Sequence, residues 1–467
     1  MNTLESRPFG LKDKIAYMTG DIANDMSFMM SAFFLMLFYT NVLEIPGYVV
    51  GLLFLISRVL DAFTDMGMGR LVDTMKPFKE GRFKGIIRRA APFVCLSGFL
   101  LFLYVVKDWS YPAKLAYVSI TYIIWGSFCY TAVNIPYGSM ASVISSCPED
   151  RASLSVFRSI GANIALLTIS FIVPLLIYKN VDGKQIIIPE MFTIIMGVLM
   201  LIAFYLYQFC WRNSVERIQL PEKVGRRHNR NECFGDVKAI FVSLFSNKPL
   251  QIFILIAIIL LLANLLIGAM NPYLYIDYFN SKFALSIGGT LPVIASFCVA
   301  PFAQTLVKKF GKKESASIAL LLTGIGYFIL FGVKTTDVWL YMAIAFISLL
   351  GLNYFMVIIW AFITDIIDYQ FLKTHRREDG TIYAVYSFAR KIGQALAGGL
   401  GGVALSLVGY MPNVPSQSSE TLNSIYNVAT LVPAISCIAI FVILTFWYPL
   451  SKEVVDNNSR ELEKINK

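Results

Sequence analysis

The sequence predicts an all-α polytopic membrane protein of twelve transmembrane helices in two pseudo-symmetric six-helix bundles. Three observations predict it. The chain is 57% hydrophobic with a mean hydropathy of +0.63 and only 15% charged residues, against roughly 25% charged in an average soluble domain. Apolar runs such as MFTIIMGVLMLIAFYLYQF and LQIFILIAIILLLANLLIGAM exceed the ~18 residues that a bilayer crossing needs. Basic residues then cluster in alternate loops: Lys76, Lys79, Arg82, Lys84, Arg88 and Arg89 in one, Arg226, Arg227 and Arg230 in the next, and Lys308, Lys309, Lys312 and Lys313 in a third. Loops between them, NVLEIPGY and SLVGYMPNVPSQSSE, are poor in Lys and Arg. This is the positive-inside pattern, so the net charge of +10 describes topology rather than a nucleic-acid surface.

Twelve spans are predicted at 16–43, 46–71, 90–107, 113–145, 153–178, 190–212, 249–279, 284–306, 315–334, 337–366, 382–409 and 425–449. The even count, with the basic loops following even-numbered spans, places both termini on the cytoplasmic side of the plasma (inner) membrane. The N-terminal stretch MNTLESRPFGLKDK has no cleavable-signal pattern. The expected divisions are 1–212 for one bundle, 213–248 for a cytoplasmic linker with a surface helix over its DVKAIFVSLFSNKP end, 249–450 for the second bundle and 451–467 for a cytoplasmic tail. The seven cysteines imply no disulfide framework, and His228 and His375 lie far from any cysteine pair, so neither a metal nor a cofactor is expected.

The two halves echo one another. SVFRSIGANIA around Arg158 resembles SFARKIGQALA around Arg390, and each opens a span after a polar loop. Internal repeats of this kind mark carriers that rock two bundles about a central site. With twelve spans and a central loop they indicate the major facilitator architecture.

Charges at membrane depth carry the functional reading, because one costs on the order of 3 kcal/mol at the bilayer centre. In GLLFLISRVLDAFTDMGMG, Asp61 and Asp65 are one helical turn apart, with Arg58 a turn earlier. Asp61 is twelve residues from Asp73 at the cytoplasmic end, roughly 18 Å along a helix. Asp21 and Asp25 repeat the spacing in the first span. Two readings stand. Arg58 neutralises one aspartate in a structural clasp, or one net negative charge holds a small monovalent cation through oxygen ligands. Thr131 and Asn134 of the fourth span could join such a site or simply hydrogen-bond between helices. Lys391, deep in the eleventh span, needs a carboxylate or a polar substrate; Arg158 and Arg390 lie nearer the cytoplasm and could snorkel instead. Trp125 and Trp360, at equivalent places in spans four and ten, suit a sugar's apolar face or plain packing. Asp365 and Asp368 are expected to form a cytoplasmic gate with the loop KTHRRED, which contains Arg376 and Arg377; Asp73 and the basic residues after it do the same in the other half.

The residues resemble the glycoside–pentoside–hexuronide:cation symporters over nearly the whole length. YMTGDIANDMSF is similar to that family's opening helix. RVLDAFTDMGMG resembles its R-x-x-D-A-x-x-D-P-x-M-G signature, with Met66 in place of the proline. YTAVNIPYGSM, DRASLSVFR and ITDIIDYQFLKTHRREDGTIYAVYSFARKIGQALAG resemble its motifs in spans four, five and ten to eleven. The resemblance implies cation binding at Asp61, Asp65 and Thr131, with Asn134 beside them. It implies sugar binding at Asp25 and Arg158 and a functional lysine at Lys391; Tyr130, Asn134, Trp125, Trp360 and Arg390 are further candidates for the substrate site, and Arg151 for the gate. The melibiose permease of that family has aspartate at the position of Asn134 and tryptophan at that of Gly138. These changes make the sugar site less negative and point from melibiose toward a uronide or another anionic sugar. Gln370 to Leu372 replace the family's Gly-Glu-Trp-type segment at the gate.

The expectation is therefore cation-coupled uptake, with Na⁺ or H⁺, of a small-molecule sugar across the bilayer by alternating access. Rival readings are a carrier of an amphipathic lipid or other non-sugar solute on the same fold, and a receptor on a transporter scaffold. No nucleophile–base set, metal cluster or phosphate loop supports an enzyme.

Overall fold

The computed structural model describes residues 7–145, 148–182, 184–217 and 247–374, and, further on, 393–394, 396, 399–412, 414 and 416–465. The side chains of Asp73, Arg151 and Trp360, and the whole of Arg376, Arg377, Arg390 and Lys391, lie outside the described residues, as does the surface helix expected before residue 247.

Lipid offers no partner to a backbone amide, so each apolar run satisfies its own amides as a helix. The first rod is α1, Leu11–Met30, prolonged by wide π turns at Ser31–Leu35 and Phe38–Val42. Then come α2, Gly47–Thr74, and α3, Arg82–Leu101. The fourth rod joins α4, Tyr111–Ile123, through a π turn at Ile124–Tyr130 to α5, Thr131–Ile144. Next are α6, Pro148–Ile177, and α7, Pro189–Asn213. A hairpin of β1, Tyr178–Val181, and β2, Lys184–Ile187, pairing Tyr178 with Ile187, fills the loop between them. The second half has α8, Lys248–Tyr273, with a π turn at Leu274–Tyr278. It continues with α9, Lys282–Phe310, α10, Lys312–Val333, and α11, Val338–Thr374. It ends with α12, Ser419–Val442, prolonged by a π turn at Ile443–Trp447, and α13, Lys452–Ile465. Residues 399–407, in the predicted eleventh span, are helical. Among the described residues eight helices are long and apolar enough to cross a membrane.

The chain divides into two compact units, residues 1–226 with 411–415, and residues 227–410 with 416–467. Each shows the internal repeat. The first rod of both ends in a π turn: Leu43 donates to the Phe38 carbonyl and Phe279 to that of Leu274, each at 3.1 Å. Both then reverse through a left-handed residue, Glu44 at φ 62° and Asn280 at φ 50°. The third rod of both opens on a glycine, Gly81 at φ 124° and Gly311 at φ 95°, which side-chain-bearing residues rarely adopt.

Helix contacts within a membrane come from close packing rather than from expelling water. In the first unit, a methyl group on Gly161 of α6 would stand 2.7 Å from the Met18 carbonyl of α1, and one on Gly20 would stand 2.5 Å from the Tyr137 ring of α5. These glycines let α1 lie directly against α5 and α6. The start of the predicted linker is clamped to this unit. Arg217 pairs with buried Asp13 at 3.0 Å and donates to the Ile144 carbonyl, while Glu216 accepts from the amides of Arg82 and Lys84. In the second unit Leu250, Phe253 and Ile256 of α8 pack with Phe355, Phe362 and Ile366 of α11. The expected tail is the helix α13, whose Val454 and Val455 rest on that core.

Candidate cation and substrate site

Four residues per step is close to one helical turn, so Ser57, Asp61 and Asp65 form a single stripe along α2. Ser127 and Thr131 form a matching stripe across the π turn that ends α4. The two stripes meet. Ser127 Oγ donates to Asp61 Oδ1 at 2.5 Å, and Thr131 Oγ1 donates to Asp65 Oδ1 at 2.7 Å. Thr131 Oγ1 also lies 3.2 Å from the Gly126 carbonyl. Arg58 Nη1 donates to Asp61 Oδ2 at 3.2 Å, and its guanidinium lies over the Phe28 ring of α1, 5.5 Å from the centroid.

Arg58 does pair with an aspartate, as the clasp reading holds. The formal charges of Arg58, Asp61 and Asp65 sum to one negative. Hydroxyls and carboxylates in this number suit a hard monovalent cation.

A second polar group joins α1, α5 and α6. Arg158 Nε donates to Asp21 Oδ1 at 3.0 Å, and its guanidinium stacks over Tyr137, 5.4 Å from the centroid. Tyr137 stacks on Tyr17 at 4.6 Å and donates to the Tyr17 carbonyl at 2.7 Å, which fixes the platform under the arginine. The Arg158 side chain remains 44% exposed. A methyl on Gly138 would come no nearer than 4.0 Å to its Nη1, so the absence of a large side chain at Gly138 leaves room beside the terminal guanidinium nitrogens. Asp25, one turn beyond Asp21, is half-buried and makes no hydrogen bond with the described residues. Asn24 between them accepts from Tyr207 of α7 at 2.7 Å.

The remaining sequence expectations divide. Tyr130 stacks on Phe28 at 5.8 Å and on Trp125 at 5.5 Å, so it bridges the cation group and α1. Asn134 is half-buried on α5, with no hydrogen bond to the described residues. Trp125 corrects one expectation: its ring is 1% exposed, wedged toward Gly98 of α3 between Tyr122 and Tyr130, so it packs inside the bundle rather than facing a sugar. Asp365 differs from expectation too. Lys312 Nζ of its own unit donates to it at 2.5 Å, a contact made within one bundle; the KTHRRED segment expected as its partner starts in the last turn of α11, and its residues 375–379 lie outside those described. Gln370 is buried and accepts from Asn247 at 2.9 Å, tying the ends of α11 and α8. Sequence reasoning missed Ser127, Ser57 and the partnership of Asp21 with Arg158. The four-residue step from Ser127 to Thr131 and from Ser57 to Asp61 was the available signal.

The profile of the MFS/sugar transport protein family matches residues 16–452. The uncharacterised symporter YjmB of Bacillus subtilis (strain 168) is 30% identical over 95% of this chain and 93% of its own length. The glucuronide carrier protein homolog of Escherichia coli (strain K12) is 29% identical over 97% of this chain and 96% of its own. Among solved structures, the nucleoside transporter NupG superposes with a TM-score of 0.62 at 14% identity, over 92% of this chain and 99% of that one, a likeness of fold. The resemblance to the glycoside–pentoside–hexuronide:cation symporters holds, and the protein is a multi-pass membrane transporter, not an enzyme, belonging to the MFS/sugar transport protein family.

Proposed function

We propose that the protein is a cation-coupled symporter that imports an anionic sugar, a uronide, by alternating access. One observation carries this reading. Two carboxylates on one face of α2, Asp61 and Asp65, each accept from a hydroxyl of the fourth rod, which gathers four side chains rich in oxygen at one place in the first unit. A net charge at this depth is costly unless something compensates it, and a travelling cation does so. Na⁺ and H⁺ both satisfy that requirement.

The anionic substrate is supported by Arg158. Only its Nε is engaged by Asp21, and Gly138 leaves room beside its outer nitrogens, which suit a carboxylate bidentately. The name of the Escherichia coli relative agrees in sugar class. Asp25 contributes a polar contact to the same substrate. The basic loops put both termini in the cytoplasm. One cation crossing 100 mV releases about 2.3 kcal/mol, enough for roughly 40-fold accumulation of a neutral sugar. A monoanion carried with one cation gains nothing from voltage and draws on the ion gradient or a second cation.

The test is uptake of labelled glucuronate and of a neutral glycoside into membrane vesicles, with Na⁺ and pH jumps applied separately. Accumulation of the glucuronate above its outside concentration on either jump is expected. Uptake that merely equilibrates under both jumps would sink the symport reading, and preference for the neutral glycoside would sink the anionic one.

A further inference from the structure

Three arginines and a tryptophan meet where α3 begins and α7 ends, at the basic-loop end of the first unit. The Arg88 guanidinium of α3 lies 4.9 Å from the centroid of the Trp211 ring of α7, and that of Arg212 lies 5.3 Å from the same ring. Arg89 lies over the Phe78 ring and donates to the Gly85 carbonyl at 2.7 Å. All three arginines are exposed. Among the described residues the carboxylate that pairs with them is Glu80, which holds Arg88 and stands 3.8 Å from Arg89. One negative charge therefore stands among three positive ones. Contact with a ring face orients a guanidinium but leaves its charge and its in-plane N–H donors in place.

The helices below this cluster turn apolar side chains outward. Arg89, Phe93 and Leu96 follow helical spacing along α3, as Leu201, Tyr205 and Arg212 do along α7. Phe93, Leu96, Leu201 and Tyr205 are exposed. The two helices lie side by side here, since a methyl on Gly98 of α3 would stand 2.8 Å from Met200 Sδ of α7. Leu96 is seven residues from Arg89, and Tyr205 seven from Arg212, roughly 10 Å along either helix. On both helices a guanidinium thus tops an apolar stripe of equal depth.

We infer that the seam of α3 and α7 seats an anionic phospholipid of the leaflet on the basic-loop side, its phosphate on Arg88 and Arg212 beside Trp211 and its chains along the two stripes. A soluble anion has no use for the stripes. A zwitterionic lipid carries its own cation, which the arginines repel. An anionic lipid meets both features, and guanidinium groups suit its phosphate oxygens bidentately.

The test titrates the purified full-length protein in detergent with dioleoyl phosphatidylglycerol and, separately, with dioleoyl phosphatidylcholine, reading retained lipid by native mass spectrometry and Tm alongside. Tighter retention of the phosphatidylglycerol, with a larger rise in Tm, is expected for the wild type. The double variant Arg88→Gln with Arg212→Gln should lose roughly 25-fold in that affinity. Arg212→Gln alone, which breaks no ion pair with the described residues, should lose part of it and serves if the double variant does not fold. Lys308→Gln with Lys309→Gln removes as many charges from the second unit and should change nothing. Equal retention of the two lipids by the wild type overturns the seat. So does wild-type affinity in the arginine variants, or an equal loss in the lysine variant, which would make the attraction one of total charge. Full competition by glycerol 3-phosphate would overturn it as a lipid site.

Discussion

The two units share a scaffold and, among the described residues, differ in the side chains they place inside their rods. In the first, α1, α2 and α6 carry Asp21, Asp25, Arg58, Asp61, Asp65 and Arg158 inside otherwise apolar rods. In the second, α8 has no ionisable residue between Lys248 and Tyr273. The described ion pair of the second unit, Lys312 with Asp365, joins the start of α10 to the late part of α11. Its described interior polar contacts include those of neutral groups, such as Ser296 donating to Asn353 at 2.9 Å and Thr323 to the Ser348 carbonyl at 2.8 Å. Such bonds satisfy buried groups at modest gain and ask nothing of a ligand. Duplicated rods therefore do not imply duplicated work: among the described residues, the first half places a cluster of charged side chains inside its rods and the second places neutral ones.

That asymmetry can be broken by substitution. The largest effect is expected for Asp65→Asn, which keeps size and a hydrogen bond to Thr131 but cancels the net negative charge. Gradient-driven accumulation in vesicles should fall to simple equilibration, and accumulation at the wild-type level would reduce the first unit's charges to a clasp. Next is Gly161→Leu, since the close approach of α6 to the Met18 carbonyl leaves no space for a side chain. Overpacking there should cost about 1–3 kcal/mol, read as a lowered Tm in detergent. Asp25→Asn should weaken sugar binding several-fold in counterflow while the cation requirement stays in place; unchanged affinity would remove Asp25 from the substrate group. The smallest transport effect is expected for Asp365→Asn in the second unit. It should lower stability by about 1–3 kcal/mol through the lone Lys312 and leave the Na⁺ or H⁺ requirement of uptake unaltered. A changed ion requirement in that variant would dissolve the contrast between the halves.

The spans were legible because lipid imposes one rule on every backbone amide, and the charged stripe on α2 was legible because its spacing is one helical turn. What could not be read depends on packing across helices. Trp125 looked available for a sugar, and only the small surface of Gly98 shows that its ring fills a gap in the wall. Asp21 and Asp25 have the same spacing and chemistry in sequence; that Arg158 chooses Asp21 follows from where α6 crosses α1 at Gly161. The hairpin Tyr178–Val181 with Lys184–Ile187 is a short loop of mixed polarity without a strong strand pattern. The wide turns at the rod ends leave no mark in composition at all.

One of those turns has a consequence for how such proteins diverge. An α-helix advances 100° with each residue, and a π turn is what one surplus residue in a helix looks like. The loop of backbone from Ile124 to Tyr130 thus works as a phase shifter set between Ser127 and Thr131. Deleting one residue from it would straighten the rod yet swing Thr131 by about 100° away from Asp65. A lineage could lose ion coupling through a single in-frame codon deletion, keeping every acidic side chain.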